Sequence, residues 1–116
     1  MTQRRGTEQA TVNAILKFLA LHHIPAWHMR TGATKIGGRF IRFGAVGMSD
    51  IIGVLPYKGV VGQIWIPGRF LAIEVKSAAS TLTAAQQGFL SQVNWAGGKA
   101  FMARDVATVA KELGLS

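Results

Sequence analysis

The chain contains no cysteine, which excludes disulfides and thiolate zinc sites and fits a reducing, cytoplasmic setting. Acidic residues are almost as scarce. Five Asp and Glu stand against 13 Lys and Arg, for a net charge of +8 and a pI near 11. That imbalance favours a polyanionic partner, either nucleic acid or an anionic membrane surface. Long apolar runs are missing too, because Gly, Lys or Arg interrupts them every few residues. Without such a run or a basic amphipathic helix, nucleic acid is favoured over a membrane. The first ten residues are polar and no apolar stretch follows a charged start, so no secretory signal is expected.

What is present suits one compact domain spanning 1–116, since 49% hydrophobic content in 116 residues can fill one core but not two. Apolar residues at Val12, Ile15, Leu16 and Leu19 recur three and four apart, predicting a helix over Glu8 to Leu21 with Thr7 as N-cap. Pro25 ends that segment, and Ala26 to Arg30 reads as extended. From Gly32 to Gly47, five glycines are interspersed with basic and aromatic residues. This stretch predicts a flexible basic loop beside a strand at Phe40 to Phe43. Ile51 to Leu55 and Phe70 to Lys76 read as buried strands. Between them, Val60, Val61, Ile64, Trp65 and Ile66 suggest a hairpin arm within Tyr57 to Gly68. Thr83 caps a helix over Ala84 to Trp95, Lys99 to Ala103 is strand-like, and Asp105 caps a last helix ending near Gly114. The order is α, several β, α, β, α.

Two of the few acids sit at informative places. Asp50 opens one apolar run after Gly47-Met48-Ser49, and Glu74 lies in Phe70-Leu71-Ala72-Ile73-Glu74-Val75-Lys76. Side chains of a strand alternate, so Ala72, Glu74 and Lys76 share a face while Leu71, Ile73 and Val75 point into the packed side. A carboxylate held near a core costs several kcal/mol unless it is paired or bound to a cation. Lys76 alone could be the partner of Glu74, as a strand-end ion pair, and Asp50 alone could be a turn or capping residue. Together they supply the hard oxygen ligands that Mg²⁺ accepts from protein, and Lys76 would orient or activate a water.

At these residues the chain resembles the PD-(D/E)XK nucleases, and within them the virus-type replication-repair nuclease domain, VRR-NUC. The resemblance covers nearly the whole chain. It rests on Ala26-Trp27, Thr31-Gly32 and the Arg/Phe-rich segment, Gly47 to Gly53, Gly68 to Lys76, Leu82 to Leu90, and Ala96 to Ala100. It implies an α/β fold with a restriction-endonuclease-like core: a central mixed β-sheet flanked by helices in the order α-βββ-α-β-α. It further implies Asp50, Glu74, the carbonyl of Val75 and the first-helix Glu8 as ligands of Mg²⁺ or Mn²⁺, with Lys76 as catalytic lysine and Gln86 as the helix glutamine. Ser49 stands where the superfamily's name has proline, and Tyr57 to Gly68 is longer than the usual short turn.

The implied activity is metal-dependent DNA endonuclease action on branched or junction DNA, in phage replication, recombination or repair, in the cytoplasm of a bacterial host. A homodimer is expected, with the apolar Tyr57 to Gly68 arm in its interface. A non-catalytic basic DNA-binding module is the alternative, and an RNA-directed hydrolase stays open. Lys35, Arg39 and Arg42, clustered with glycine N–H groups, are expected to contact phosphates. His22, His23 and His28 lack the paired spacing of a zinc site and are expected at a helix end and on the surface. Trp27, Trp65 and Trp95 are expected to pack rather than to stack on bases.

Overall fold

The computed structural model describes residues 2–29, 32–43, 46–56, 60–61, 64–65 and 67–115, with backbone alone for 2–7, 32–36, 40–43, 60–61 and 64–65. The protein is α/β, with a four-stranded mixed sheet between helices. The sheet is built from β1 (Ala26–His28), β4 (Ile51–Leu55), β7 (Arg69–Val75) and β8 (Lys99–Ala103), in that spatial order. β1 pairs antiparallel with β4 and β4 antiparallel with β7, whereas β7 and β8 run parallel. A parallel pair needs a crossover, and α2 (Ala84–Trp95) supplies it. Two further strand pairs interrupt this order, β2 (Gly32–Ile36) with β3 (Arg39–Phe43), and β5 (Val60–Val61) with β6 (Ile64–Trp65).

Three layers result. On one face, Val12, Ile15 and Leu19 of α1 (Thr2–Leu21) and Val109 of α3 (Val106–Leu113) pack on Ile51, Leu71, Ile73, Val75, Phe101 and Ala103. On the other, Leu90 of α2, with Phe89 and Val93 beside it, covers Ala72 and Ala100. Residues Leu71 to Val75 are therefore all buried, and an apolar run with layers on both sides is the sequence mark of a central strand. The shared face expected for Ala72 and Glu74 is thus not an open edge, because α2 lies over it.

Local chemistry explains the helix limits. Thr83 accepts from the Gln86 N–H at 3.1 Å and the Gln86 side chain accepts from the Thr83 N–H at 2.9 Å, a reciprocal capping box. Asp105 accepts from the Thr108 N–H at 2.8 Å to start α3, and Gly114 ends it with left-handed geometry. Helix α1 begins at Thr2, so Thr7 lies inside it rather than at its N-cap. Gln3, Arg4 and Arg5 are good helix formers and carry the helix across Gly6.

In the glycine-rich segment the expected strand at Phe40 to Phe43 is present as part of β3, but the expected loop before it is not. Most of the segment is a β-hairpin, with Ile36 opposite Arg39 and the turn at Gly37 and Gly38, both at positive φ (58° and 80°). Such a two-residue turn needs glycine-like backbone and matches the twist of the strands it joins. The expected arm is present as the β5–β6 pairing, although the side chains that would form an interface lie outside the described residues. Phe70 to Lys76 was one residue out of register at both ends: the strand starts at Arg69 and ends at Val75. Arg30 also lies outside the described residues.

On the outer edge of β8, the peptide groups of Ala100 are taken by a side chain. Asn94 donates to the Ala100 carbonyl and accepts from its N–H, both at 2.8 Å. Ala100 is buried, so losing both bonds leaves a buried peptide without partners. Asn94→Ala is expected to lower stability by about 1–3 kcal/mol, with Asn94→Asp in between because it keeps only the acceptor. Urea unfolding midpoints of the three proteins check this.

Candidate active site

Main-chain anchoring fixes Asp50 first. Its carbonyl accepts from the Met29 N–H at 2.6 Å, tying it to the end of β1. The preceding turn is pressed against the first turn of α2. A Cβ on Gly47, which has φ +83°, would lie 2.5 Å from the Ala85 carbonyl oxygen, so both conformation and space require glycine there. Beyond the last paired residues, Ile51 and Ile73, Asp50 Oδ2 accepts from the Val75 N–H at 2.7 Å. The carboxylate therefore adds a rung to the β4–β7 ladder, which partly fulfils the capping role weighed for it. A residue's N–H and C=O leave a strand on the same side, so the Val75 carbonyl also points toward Asp50.

Glu74 lies next to it and is only 3% exposed. Its Oε2 accepts from Gln86 Nε2 at 3.1 Å and lies 3.7 Å from Lys76 Nζ. Its Oε1 is buried without a hydrogen-bond partner. Both ends of the Gln86 amide are engaged, one by Thr83 and one by Glu74, so its visible role is to orient the carboxylate. Lys76 follows the strand, with its N–H still on the Ala103 carbonyl. Its 3.7 Å separation is too long for a strong charge-assisted hydrogen bond.

Electrostatics reflect this crowding. Burial, then the neighbouring Asp50 carboxylate, push the Glu74 carboxyl from 4.5 up to about 8; Lys76 pulls it down and Glu8 adds to the rise. Two carboxylates this close, one with an orphaned buried oxygen, need a proton or a cation between them. The oxygen donors fit Mg²⁺ or Mn²⁺, which take one or two carboxylates and complete their shells with water and carbonyl oxygen. No cluster of three or more His, Asp or Glu side chains able to hold a metal occurs among the described residues.

Glu8 comes from α1 to the edge of this site, where its Oε2 accepts from the Ser77 N–H at 3.2 Å. The Ser77 carbonyl accepts from Arg104 Nη1. Arg104 was missed by sequence reasoning. The available signal was its place directly after β8, whose parallel pairing with β7 brings Arg104 to the same end as Lys76. Lys35 and Arg42 lie in the β2–β3 hairpin opposite Phe40 and Ala33, and their side chains fall outside the described residues. Arg39 is exposed beside the Gly37-Gly38 turn.

Two of the three tryptophans differ from expectation: Trp27 is 57% and Trp95 90% exposed, so neither is a packing residue. The side chain of Trp65 is outside the described residues. A cavity of about 450 Å³ lies at the opposite end of the sheet, by Leu55, Arg69 and Lys99, and is not lined by Asp50 or Glu74. No family model, curated protein or solved structure matches the chain.

The raised Glu74 pKa sets a pH dependence of stability. Between about 4.5 and about 8 the folded protein keeps a proton that the unfolded chain has released, so stability falls as pH rises through that window. In EDTA, the urea midpoint is expected to drop from pH 5 to pH 8, and Glu74→Gln is expected to flatten the drop. At pH 8, Mg²⁺ or Mn²⁺ is expected to restore the wild-type midpoint and not that of Glu74→Gln.

Proposed function

We propose that this protein is a Mg²⁺- or Mn²⁺-dependent DNA endonuclease with a restriction-endonuclease-like core, a member of the VRR-NUC group of PD-(D/E)XK nucleases. The observation that carries the reading is the Asp50–Glu74 pair, in which Glu74 is buried with one unpartnered oxygen and Lys76 lies 3.7 Å away. Asp50, Glu74 and the Val75 carbonyl would hold the ion, with Glu8 completing its surroundings. When bound, the ion supplies charge neutralisation at the scissile phosphate and a lowered pKa for water.

The remaining roles belong to the chain. Gln86 fixes the Glu74 rotamer from the capped start of α2, and Asp50 is fixed by Val75. Lys76, whose ammonium is a compact donor with free directions, holds a phosphate oxygen or the attacking water. Lys35, Arg39 and Arg42 bind flanking phosphates. In a domain with little surface for reading sequence, DNA structure is the natural determinant, and cutting both strands of a branch calls for two sites, hence a homodimer. We place the activity in phage replication, recombination or repair within a bacterial cytoplasm.

Cleavage of linear, nicked, flap and four-way DNA with Mg²⁺ or Mn²⁺ tests the reading. Glu74→Ala and Asp50→Ala are expected to abolish cleavage while leaving binding intact or stronger. Lys76→Ala should slow the cleavage step by roughly 10²–10⁴ with metal affinity, read by calorimetry, nearly unchanged. DNA left whole by a protein that still binds it would identify a binding module instead.

A further inference from the structure

The face of the sheet that carries the acids is only partly covered. By register, Trp27, Ile52 and Ala72 form one row across β1, β4 and β7, and Val54 and Phe70 pair in the next. Asp50 and Glu74, two residues along β4 and β7 from Ile52 and Ala72, belong to the same face. Helix α2 packs over β7 and β8, and among the described elements none is packed over the β1–β4 side of this face. Trp27 is 57%, Phe70 43% and Val54 41% exposed. Phe70 also lines a shallow slot with Phe89, Gln92 and Val93. Trp27 is thus the diagonal neighbour of Asp50 across the β1–β4 pair, a position within reach of long side chains.

We propose that this band is a stacking surface for unpaired nucleobases of the strand whose phosphate lies at Asp50 and Glu74, with Trp27 as its platform. The proposal rests on the phosphodiesterase reading of that acid pair. Charge decides the occupant. Of the five carboxylates, Glu8, Asp50 and Glu74 gather at the site, Asp105 caps α3 and Glu112 pairs with Lys99. Apart from the acid pair that would hold the ion, no carboxylate is left to oppose a polyanion on the band, and the chain carries +8. An exposed aromatic ring beside a phosphate-binding centre on a basic protein is the combination that holds single strands, since every base has a π-face. A duplex keeps its bases stacked on each other and has none to offer. The surface therefore favours single-stranded segments next to the cut, as found at flaps and branch points.

The test uses the full chain in EDTA, where no strand is cut. In a Trp65→Phe, Trp95→Phe protein, Trp27 is the sole indole. Oligo-dT and oligo-rU are expected to quench its emission and a blunt duplex of equal length is not; the two oligonucleotides differ only in whether deoxyribose or ribose is preferred. In otherwise wild-type protein, Trp27→Ala is expected to weaken single-strand binding roughly five-fold or more, with duplex binding unchanged and Trp27→Phe close to wild type. Unchanged Trp27 emission at saturation measured by anisotropy, or equal single-strand affinity of Trp27→Ala, would overturn the surface. So would a concentration-dependent blue shift of Trp27 with a doubled mass, which assigns the band to a second copy. Quenching in a protein that cleaves nothing would remove the nuclease reading and leave the surface. Cleavage without quenching would do the reverse.

Discussion

The constraint on which the rest of the structure turns is the burial of one carboxylate beside another. Glu74 sits in the central strand with α2 over it, where an isolated ionised acid would cost several kcal/mol. The surrounding chain is arranged around that cost without cancelling it. Gln86 reaches from the capping box of α2 to Oε2, Lys76 stays at 3.7 Å, and Oε1 is left without a partner. A purely structural acid would be better served by a close ion pair or by replacement with an apolar residue. Retaining a half-satisfied acid at this position makes sense where something else completes it.

Support for that centre comes from elements far apart in sequence. Asp50 is held by Met29 of the β1 side and by Val75 of β7, and its approach turn rests on Ala85 of α2 through Gly47. Glu8 of α1 and Arg104 after β8 grip the two sides of the Ser77 peptide. All three layers thus converge at one end of the sheet, where β7 and β8 finish and β4 begins. The sheet is mixed for the same reason: only antiparallel β4 and parallel β8 could flank β7 and bring Asp50 and Arg104 to the end that carries Lys76.

Much of this was legible from local signals. The spacing of Val12, Ile15 and Leu19, the apolar runs at Ile51 and Leu71, and the caps Thr83 and Asp105 each act within a few residues, and each lies where the pattern put it. Asp50 and Glu74 were legible because acids are so few here, and alternation along β7 placed Glu74 on the Ala72 face. The second strand of the hairpin was read at Phe40 to Phe43, and its first was missed because glycine count was weighed above the β-forming Thr34 and Ile36 that precede Gly37-Gly38. Exposure of Trp27 could not be read at all, because it depends on how far α2 extends across the sheet, a matter of tertiary packing. The engagement of Gln86 by its own cap was hidden for a related reason: a helix-start amide pointing to Thr83 and one pointing to Glu74 look alike in sequence.

The Asn94 bracket on Ala100 has an effect beyond local stability. A sheet edge with free peptide groups invites a foreign strand, and on β8 those of Ala100 are already taken by a side chain that imitates a neighbouring backbone. The opposite edge, β1, is three residues long and preceded by Pro25, which limits how much ladder an incoming chain could form. Both edges thus resist strand addition by means that leave the face of the sheet free, so that the same four strands can still expose an aromatic surface to solvent.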